Sequence, residues 1–226
     1  MIELSATLLG IWGMQFGSVN RTVPCTGGDF ADCYSSNTGW TAVGSGVEVS
    51  NGVARAITAS CESDNRIHKA LGLTLTDTLW YYNFEIKPQT GDGAATGAVA
   101  LSAGTDALST STQDSIGLYQ NNNPGMRLFY KDGAGALTLV TTEITVVFGT
   151  LYYGRILRDS ATGVTLQLFS DSGRTSHITG SPQSGTIPST VVGLTTLQHS
   201  VASDGGAGAD ASFEVDETHI YDNATP

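Results

Sequence analysis

The sequence predicts an all-β fold, a sandwich or a barrel, and three observations carry that prediction. From residue 29 onward, short runs rich in Val, Ile, Tyr, Phe and Thr alternate with clusters of Gly, Asn, Asp and Ser. Only 14% of the residues are charged while 28 are glycine, a balance of many strands and turns rather than long solvated helices. No stretch sustains apolar residues at helical spacing between caps. Without helical crossovers there are no βαβ units, which leaves antiparallel architectures.

Taken in order, residues 1–27 read as an arm and residues 28–226 as the domain. The opening run 1–16 is apolar but has no basic leader region. Glycines interrupt it, and it is too short to span a bilayer, so no membrane insertion is expected. Such an arm is expected to pack on its own domain or on a neighbouring subunit. The chain is therefore expected to be oligomeric or part of an assembly.

Strands are expected at 29–34, 47–50, 53–59, 65–71, 79–87, 97–102 and 115–120. They continue at 126–131, 136–141, 151–158, 164–170, 194–201 and 213–222. Asn51-Gly52 and Asp132-Gly133 each suit a tight two-residue hairpin, because both residue pairs tolerate positive φ. Residues 159–163 form a longer loop ending in glycine. The run 79–87 alternates cleanly: Trp80, Tyr82, Phe84 and Ile86 share the core face, and Tyr81, Asn83, Glu85 and Lys87 share the other.

Ten Lys and Arg against 21 acids give a formal charge of −11, which disfavours nucleic acid, whose binding rests on clustered cations. Of the three cysteines, Cys33 can bridge Cys61 or Cys25, or all three can be free thiols. His68, His177, His199 and His219 lack metal-ligand spacing. There is no Gly-x-Ser-x-Gly elbow and no phosphate loop. Asn20-Arg-Thr22 and Asn223-Ala-Thr225 match glycosylation acceptors, triplets that are common by chance. Sugar binding needs exposed aromatic rings with amides or guanidinium groups beside them. The candidates are Tyr81, Asn83, Tyr119, Asn121, Arg127 and Phe129; the competing reading puts Tyr119 and Phe129 in the core.

The order of motifs along the chain resembles the concanavalin A-like (laminin G-like) jelly rolls. It begins with Gly28-Asp-Phe-Ala-Asp32, Gly39-Trp-Thr41 and Val47-Glu-Val-Ser-Asn-Gly-Val-Ala54. A central hairpin, Tyr152-Tyr-Gly-Arg-Ile-Leu-Arg158 with Val164-Thr-Leu-Gln-Leu-Phe-Ser-Asp171, and the closing Val215-Asp-Glu-Thr-His-Ile-Tyr-Asp222 complete it. The resemblance, over residues 28–223, implies two stacked antiparallel sheets with first and last strands adjacent and one concave face. It also implies a structural calcium ion where the closing strand passes the first strand and hairpin, at Asp29, the Gly52 carbonyl and Asp216.

The family's glucanases carry acids at i, i+2 and i+4 of one central strand. Here Glu214 and Asp216 are followed by Thr218, on the last strand, so catalysis is not expected. Glu217 falls on the opposite face of a regular strand, and Glu214 and Glu217 read as solvated edge charges. The function expected is a non-enzymatic surface or virion component, a decoration, fibre or adhesion protein with affinity for cell-surface glycans. Its partners would be other capsid or surface subunits held through residues 1–27, and its place the virion surface or the extracellular space. A secreted carbohydrate-binding module is the alternative, and a degenerate glycosidase a distant third.

Overall fold

A computed structural model describes residues 27–50, 52–60, 65–89, 96–108, 112–121, 124–201 and 210–226. The expected arm therefore lies outside the described residues, Gly27 apart. Sixteen strands run in order: β1 (Phe30–Asp32), β2 (Thr41–Val43), β3 (Val47–Ser50), β4 (Val53–Ser60), β5 (Asn65–Ala70), β6 (Trp80–Pro88), β7 (Thr96–Ser102) and β8 (Ser115–Asn121). They continue as β9 (Gly125–Lys131), β10 (Thr138–Leu139), β11 (Ile144–Thr145), β12 (Tyr152–Arg158), β13 (Gly163–Phe169), β14 (Gln183–Thr186), β15 (Thr196–Val201) and β16 (Asp210–Asp222). There is no helix among the described residues.

The strands form two eight-stranded antiparallel sheets, and the fold is an all-β two-sheet sandwich. Sheet one has the order β14-β13-β12-β6-β16-β4-β3, with β1 also on β16. Sheet two has the order β10-β9-β8-β7-β15-β5-β2, with β11 also on β9. The alternation read along 79–87 is what the sandwich uses: Trp80, Tyr82, Phe84 and Ile86 are fully buried between the sheets. Opposite them, Val99, Leu101, Ile116, Leu118, Met126 and Leu128 supply the inner face of sheet two. Burying such side chains stabilises by roughly 1.5–3 kcal/mol each.

Several sequence signals have a visible physical role. Ser50 pairs with Val53, as a two-residue connection requires, and Gly52 has a φ of 83°, which L side chains rarely adopt. The acidic residue and tryptophan of the opening motif are joined: Asp32 Oδ2 accepts from Trp40 Nε1 at 3.1 Å and from Lys69 Nζ at 2.6 Å. First and last strands are adjacent, Phe30 opposite Ile220. Cys33 is disulfide-bonded, against the reading of three free thiols; both candidate partners, Cys25 and Cys61, lie outside the described residues.

Other expectations need correction. Asp132-Gly133 is not a two-residue hairpin, because Tyr130 pairs with Thr138 and the Gly135 amide closes a turn on the Asp132 carbonyl. β2, β11 and β14 are too short and too polar to stand out by alternation. The closing strand β16 is no edge: β6 flanks it on one side, and β4 and then β1 on the other. Nor is it regular. Asp216 pairs with Glu85 and His219 with Asn83, so β16 spends one more residue than β6 over that interval. The extra residue is Glu217, with a φ of 39°.

Candidate functional site

The outer face of sheet one is built by the residues that alternate with the core. The register aligns them in rows across the strands. One row runs Gln167, Arg155, Asn83 and His219 over β13, β12, β6 and β16. A second, on one side, holds Leu157, Tyr81 and Tyr221; a third, on the other, holds Phe169, Tyr153, Glu85 and Asp216. Because the bulge absorbs one residue, Glu217 also reaches this face, where its Oε1 lies 3.1 Å from His219 Nε2. A regular strand would have sent it inward. Thr218 goes inward instead, and is fully buried against the Tyr34 hydroxyl at 2.6 Å.

Arg155 sits at the middle of the face. Its Nε donates to Asn83 Oδ1 at 2.8 Å and its Nη1 reaches Gln167 Oε1 at 3.5 Å. The guanidinium lies 5.4 Å from the Tyr81 ring centre and 5.7 Å from that of Phe169. Beyond these, Tyr81 stacks on Tyr221 at 4.4 Å and Phe169 stacks on His177 at 4.4 Å. The result is a band of rings interrupted by one cation, each member steadied by its neighbours. Burial lowers the Arg155 pKa, and the Arg174 guanidinium lowers it further. Arg174 itself lies over the Tyr153 ring at 5.9 Å and feels Glu85 and Glu217 as stabilising charges.

The sequence-derived candidates divide between the two outer faces. Tyr81 and Asn83 belong to the band just described. Tyr119, Arg127 and Phe129 lie on the outer face of sheet two, so the six do not converge on one ligand. Tyr119 and Phe129 are 5% and 0% exposed in a second apolar cluster with Ala100 and Leu108, against which Leu137 and Leu139 pack. They are not the exposed rings expected of a sugar site: they lie outside the main core cluster, but Leu108, Leu137 and Leu139 pack over them. Arg127 donates from Nε to the Thr141 carbonyl at 2.9 Å, and Asn121 ends β8 opposite Gly125. Tyr81 needs a correction of role: Tyr221 and Arg155 occupy its two ring faces, so it offers an edge and a hydroxyl rather than a surface for sugar stacking.

The three residues assigned to calcium are not brought together. Asp29 binds the far end of β16, its Oδ2 accepting from the Asp222 amide at 2.7 Å. Asp222 and Asp216 face Trp80 and Glu85, so about 17 Å of strand separates their levels. Gly52 donates its amide to the Tyr34 carbonyl, and Asp216 Oδ1 accepts from the Glu217 amide at 2.7 Å. No group of three His, Cys, Asp or Glu able to hold a metal occurs among the described residues. This set does not fit the ion.

A depression of about 310 Å³ on the same outer face is lined by Val53, Glu85, Lys87, Gly149, Leu151, Glu214 and Asp216. Within it Glu214 pairs with Lys87 at 3.4 Å. Sequence reasoning missed Arg155, Arg174, Gln167, Phe169 and Tyr221 as site residues. The signal was present in the central hairpin, where period two puts Tyr153 and Arg155 opposite the core-facing Ile156.

No protein-family model matches the chain, and no curated protein matches it. Solved structures share the fold. The carbohydrate-binding module CBM66 from Bacillus subtilis superposes with a TM-score of 0.52 at 13% identity, over 81% of this chain and 95% of that one. The GH43 protein BlXynB from Bacillus licheniformis gives 0.56 at 11% identity over 85% of this chain and 39% of its own. A Trypanosoma rangeli sialidase crystallised with sialic acid gives 0.52 at 9% identity, over 82% and 28%. At these identities the likeness is one of fold. No helix among the described residues is long and apolar enough to cross a membrane.

Proposed function

We propose that this chain is a non-enzymatic glycan-recognition module of the concanavalin A-like type, with its site on the outer face of sheet one around Arg155, Asn83, Tyr81 and Tyr221. The observation that carries the reading is the fixed Gln167–Arg155–Asn83 row beside two tyrosines whose hydroxyls make no hydrogen bond to the described residues. Convergent amides, guanidinium and phenols are what sugar hydroxyls require. The fold shared with a carbohydrate-binding module supports it. The Cys33 disulfide supports an extracellular or particle-surface location, since such bonds persist in oxidising surroundings.

Two features support binding over hydrolysis: Glu214 is engaged by Lys87, and Asp216 accepts a backbone amide. Display on a virion or other assembled surface through residues 1–27 is part of the proposal as the module's attachment. Gly27 lies beside the Tyr221 hydroxyl, at the rim of the site.

Screening the full chain on a polysaccharide and oligosaccharide array, followed by titration calorimetry, tests the reading. Saturable binding weakened by Asn83→Ala is expected, without release of reducing sugar. Absence of binding to every glycan at millimolar protein-accessible concentrations sinks it.

A further inference from the structure

The outer face of sheet one holds a cation that no acid among the described residues answers. Among the described residues three other cations close on carboxylates, Lys69 on Asp32 at 2.6 Å, Arg55 on Glu48 at 2.7 Å and Lys87 on Glu214 at 3.4 Å, while Arg174 and Arg158 feel nearby acids. Arg158 and Arg127 are spent on backbone carbonyls. Among the described residues Arg155 has the neutral oxygens of Asn83 and Gln167 as its hydrogen-bond partners, and the neighbouring cation Arg174 repels it. In a chain carrying 21 acids against 10 Lys and Arg, that isolation is a property of the site and not of the composition.

From this we infer that the site takes a sugar bearing a carboxylate, a uronic or nonulosonic acid, with the carboxylate seated on the outward N–H groups of Arg155. The inference rests on the glycan-recognition reading and names its ligand class. Nε and Nη1 are committed to Asn83 and Gln167, while Nη2 makes no hydrogen bond among the described residues. Nη2 and the second N–H of Nη1 form the remaining fork, which a planar carboxylate matches, and charge-assisted bonds of this kind are about twice as strong as neutral ones. The Tyr81 and Phe169 rings on either side hold the guanidinium in one orientation, so little side-chain freedom is lost on binding.

The neighbouring groups define the ligand further. Tyr81 and Tyr221 present hydroxyl edges beside Arg155, suited to the ring hydroxyls of the same sugar. In the adjoining row Glu85, Asp216 and Glu217 gather negative charge, balanced by Arg174. A single carboxylate at Arg155 avoids them; a densely sulfated chain crossing the face would not.

The test compares each acidic sugar with its own methyl ester, which keeps the shape and removes the charge. Glucuronic-acid-terminated and N-acetylneuraminic-acid-terminated oligosaccharides and their esters are titrated into the unaltered full chain at low and moderate salt. The acids should bind about tenfold or more tightly than the esters, with the difference shrinking as salt rises. Arg155→Gln should erase the acid–ester difference, and Arg155→Lys should restore only part of it. Equal binding of acid and ester overturns the inference and leaves glycan recognition standing. Failure of acids, esters and neutral glycans alike overturns both. The acid–ester comparison needs no variant, so a variant that folds poorly does not blunt it.

Discussion

The Thr218 hydroxyl lies 2.6 Å from the Tyr34 hydroxyl, and that bond joins the closing strand to the first loop inside the core. His199 of sheet two reaches the same phenol from the other side, Nε2 to hydroxyl 2.8 Å. A single buried hydroxyl is thus a meeting point for both sheets and for the segment after β1. The bulge at Glu217 makes this possible, because without the extra residue Thr218 would face outward.

Thr218→Val keeps shape and removes the bond to Tyr34 together with the longer contact to the Tyr82 hydroxyl at 3.4 Å. Tyr34 retains His199 while the buried Tyr82 hydroxyl loses its contact, so the expected cost is about 2–3 kcal/mol. Urea unfolding should show a lower midpoint with an unchanged slope. In a double-mutant cycle with Tyr34→Phe the two losses should fall short of additive, because both remove the same bond. Additive losses would mean that the bond contributes nothing.

Tyr34 and Tyr82 are fully buried, and burial raises both phenol pKa values; for Tyr34 the neighbouring Tyr82 phenol adds to it. The folded pKa lies above the unfolded value, about 10, so the folded state retains protons that the unfolded state sheds. Stability from these groups is full below about pH 10 and is lost as pH rises beyond it. Tyrosinate absorbance should therefore rise in two stages: exposed phenols first, and the buried pair together with unfolding. Reversible ionisation of all eight tyrosines below the unfolding transition would contradict this.

The layering of this domain was legible because a strand with one buried face writes its register into every second residue. Trp80 to Ile86 is the clearest case, and both sheets follow from similar runs. Three things were not legible. Alternation says which side a residue faces, not whether another segment covers that side, and so Tyr119 and Phe129 stood open between an exposed and a core reading. A bulge leaves no trace in residue types such as Asp216-Glu-Thr218, yet it reverses the faces of Glu217 and Thr218. The partition of Tyr81 and Tyr119 between opposite faces depends on strand order, which joins β6 to β12 and β7 to β15 across the chain. Arg155 was overlooked for a related reason: that no acid among the described residues pairs with it appears only once the neighbours are placed.

Arg158 shows the opposite use of the same residue type. It is fully buried, and donates to the Val191 carbonyl at 2.8 Å, the Ala161 carbonyl at 2.7 Å and the Ser160 carbonyl at 3.3 Å. Its fork closes the β12–β13 loop against the segment around Val191. Lysine cannot satisfy three carbonyls from one point, so Arg158→Lys should cost about 2–4 kcal/mol while leaving the charge in place. Arg158→Leu strands the same carbonyls and should cost at least as much. A thermal melt that Arg158→Lys leaves unchanged would show the carbonyls to be solvated.

Tyr81 and Tyr221 allow hydroxyl and ring to be separated at the proposed glycan face. Their stack, 4.4 Å between centroids and 13° between planes, survives Tyr221→Phe or Tyr81→Phe, and neither hydroxyl bonds to the described residues. Both variants should keep the wild-type stability within about 0.5 kcal/mol. Glycan affinity should nevertheless fall by about three- to tenfold for each, the worth of one neutral hydrogen bond. Tyr221→Ala removes the stack as well, frees one face of Tyr81 and should lower stability and affinity together. Calorimetry beside thermal melts reads both quantities. If the phenylalanine variants bind as tightly as the wild type, sugar hydroxyls are not held at this rim, and the rings serve only to hold Arg155 in place.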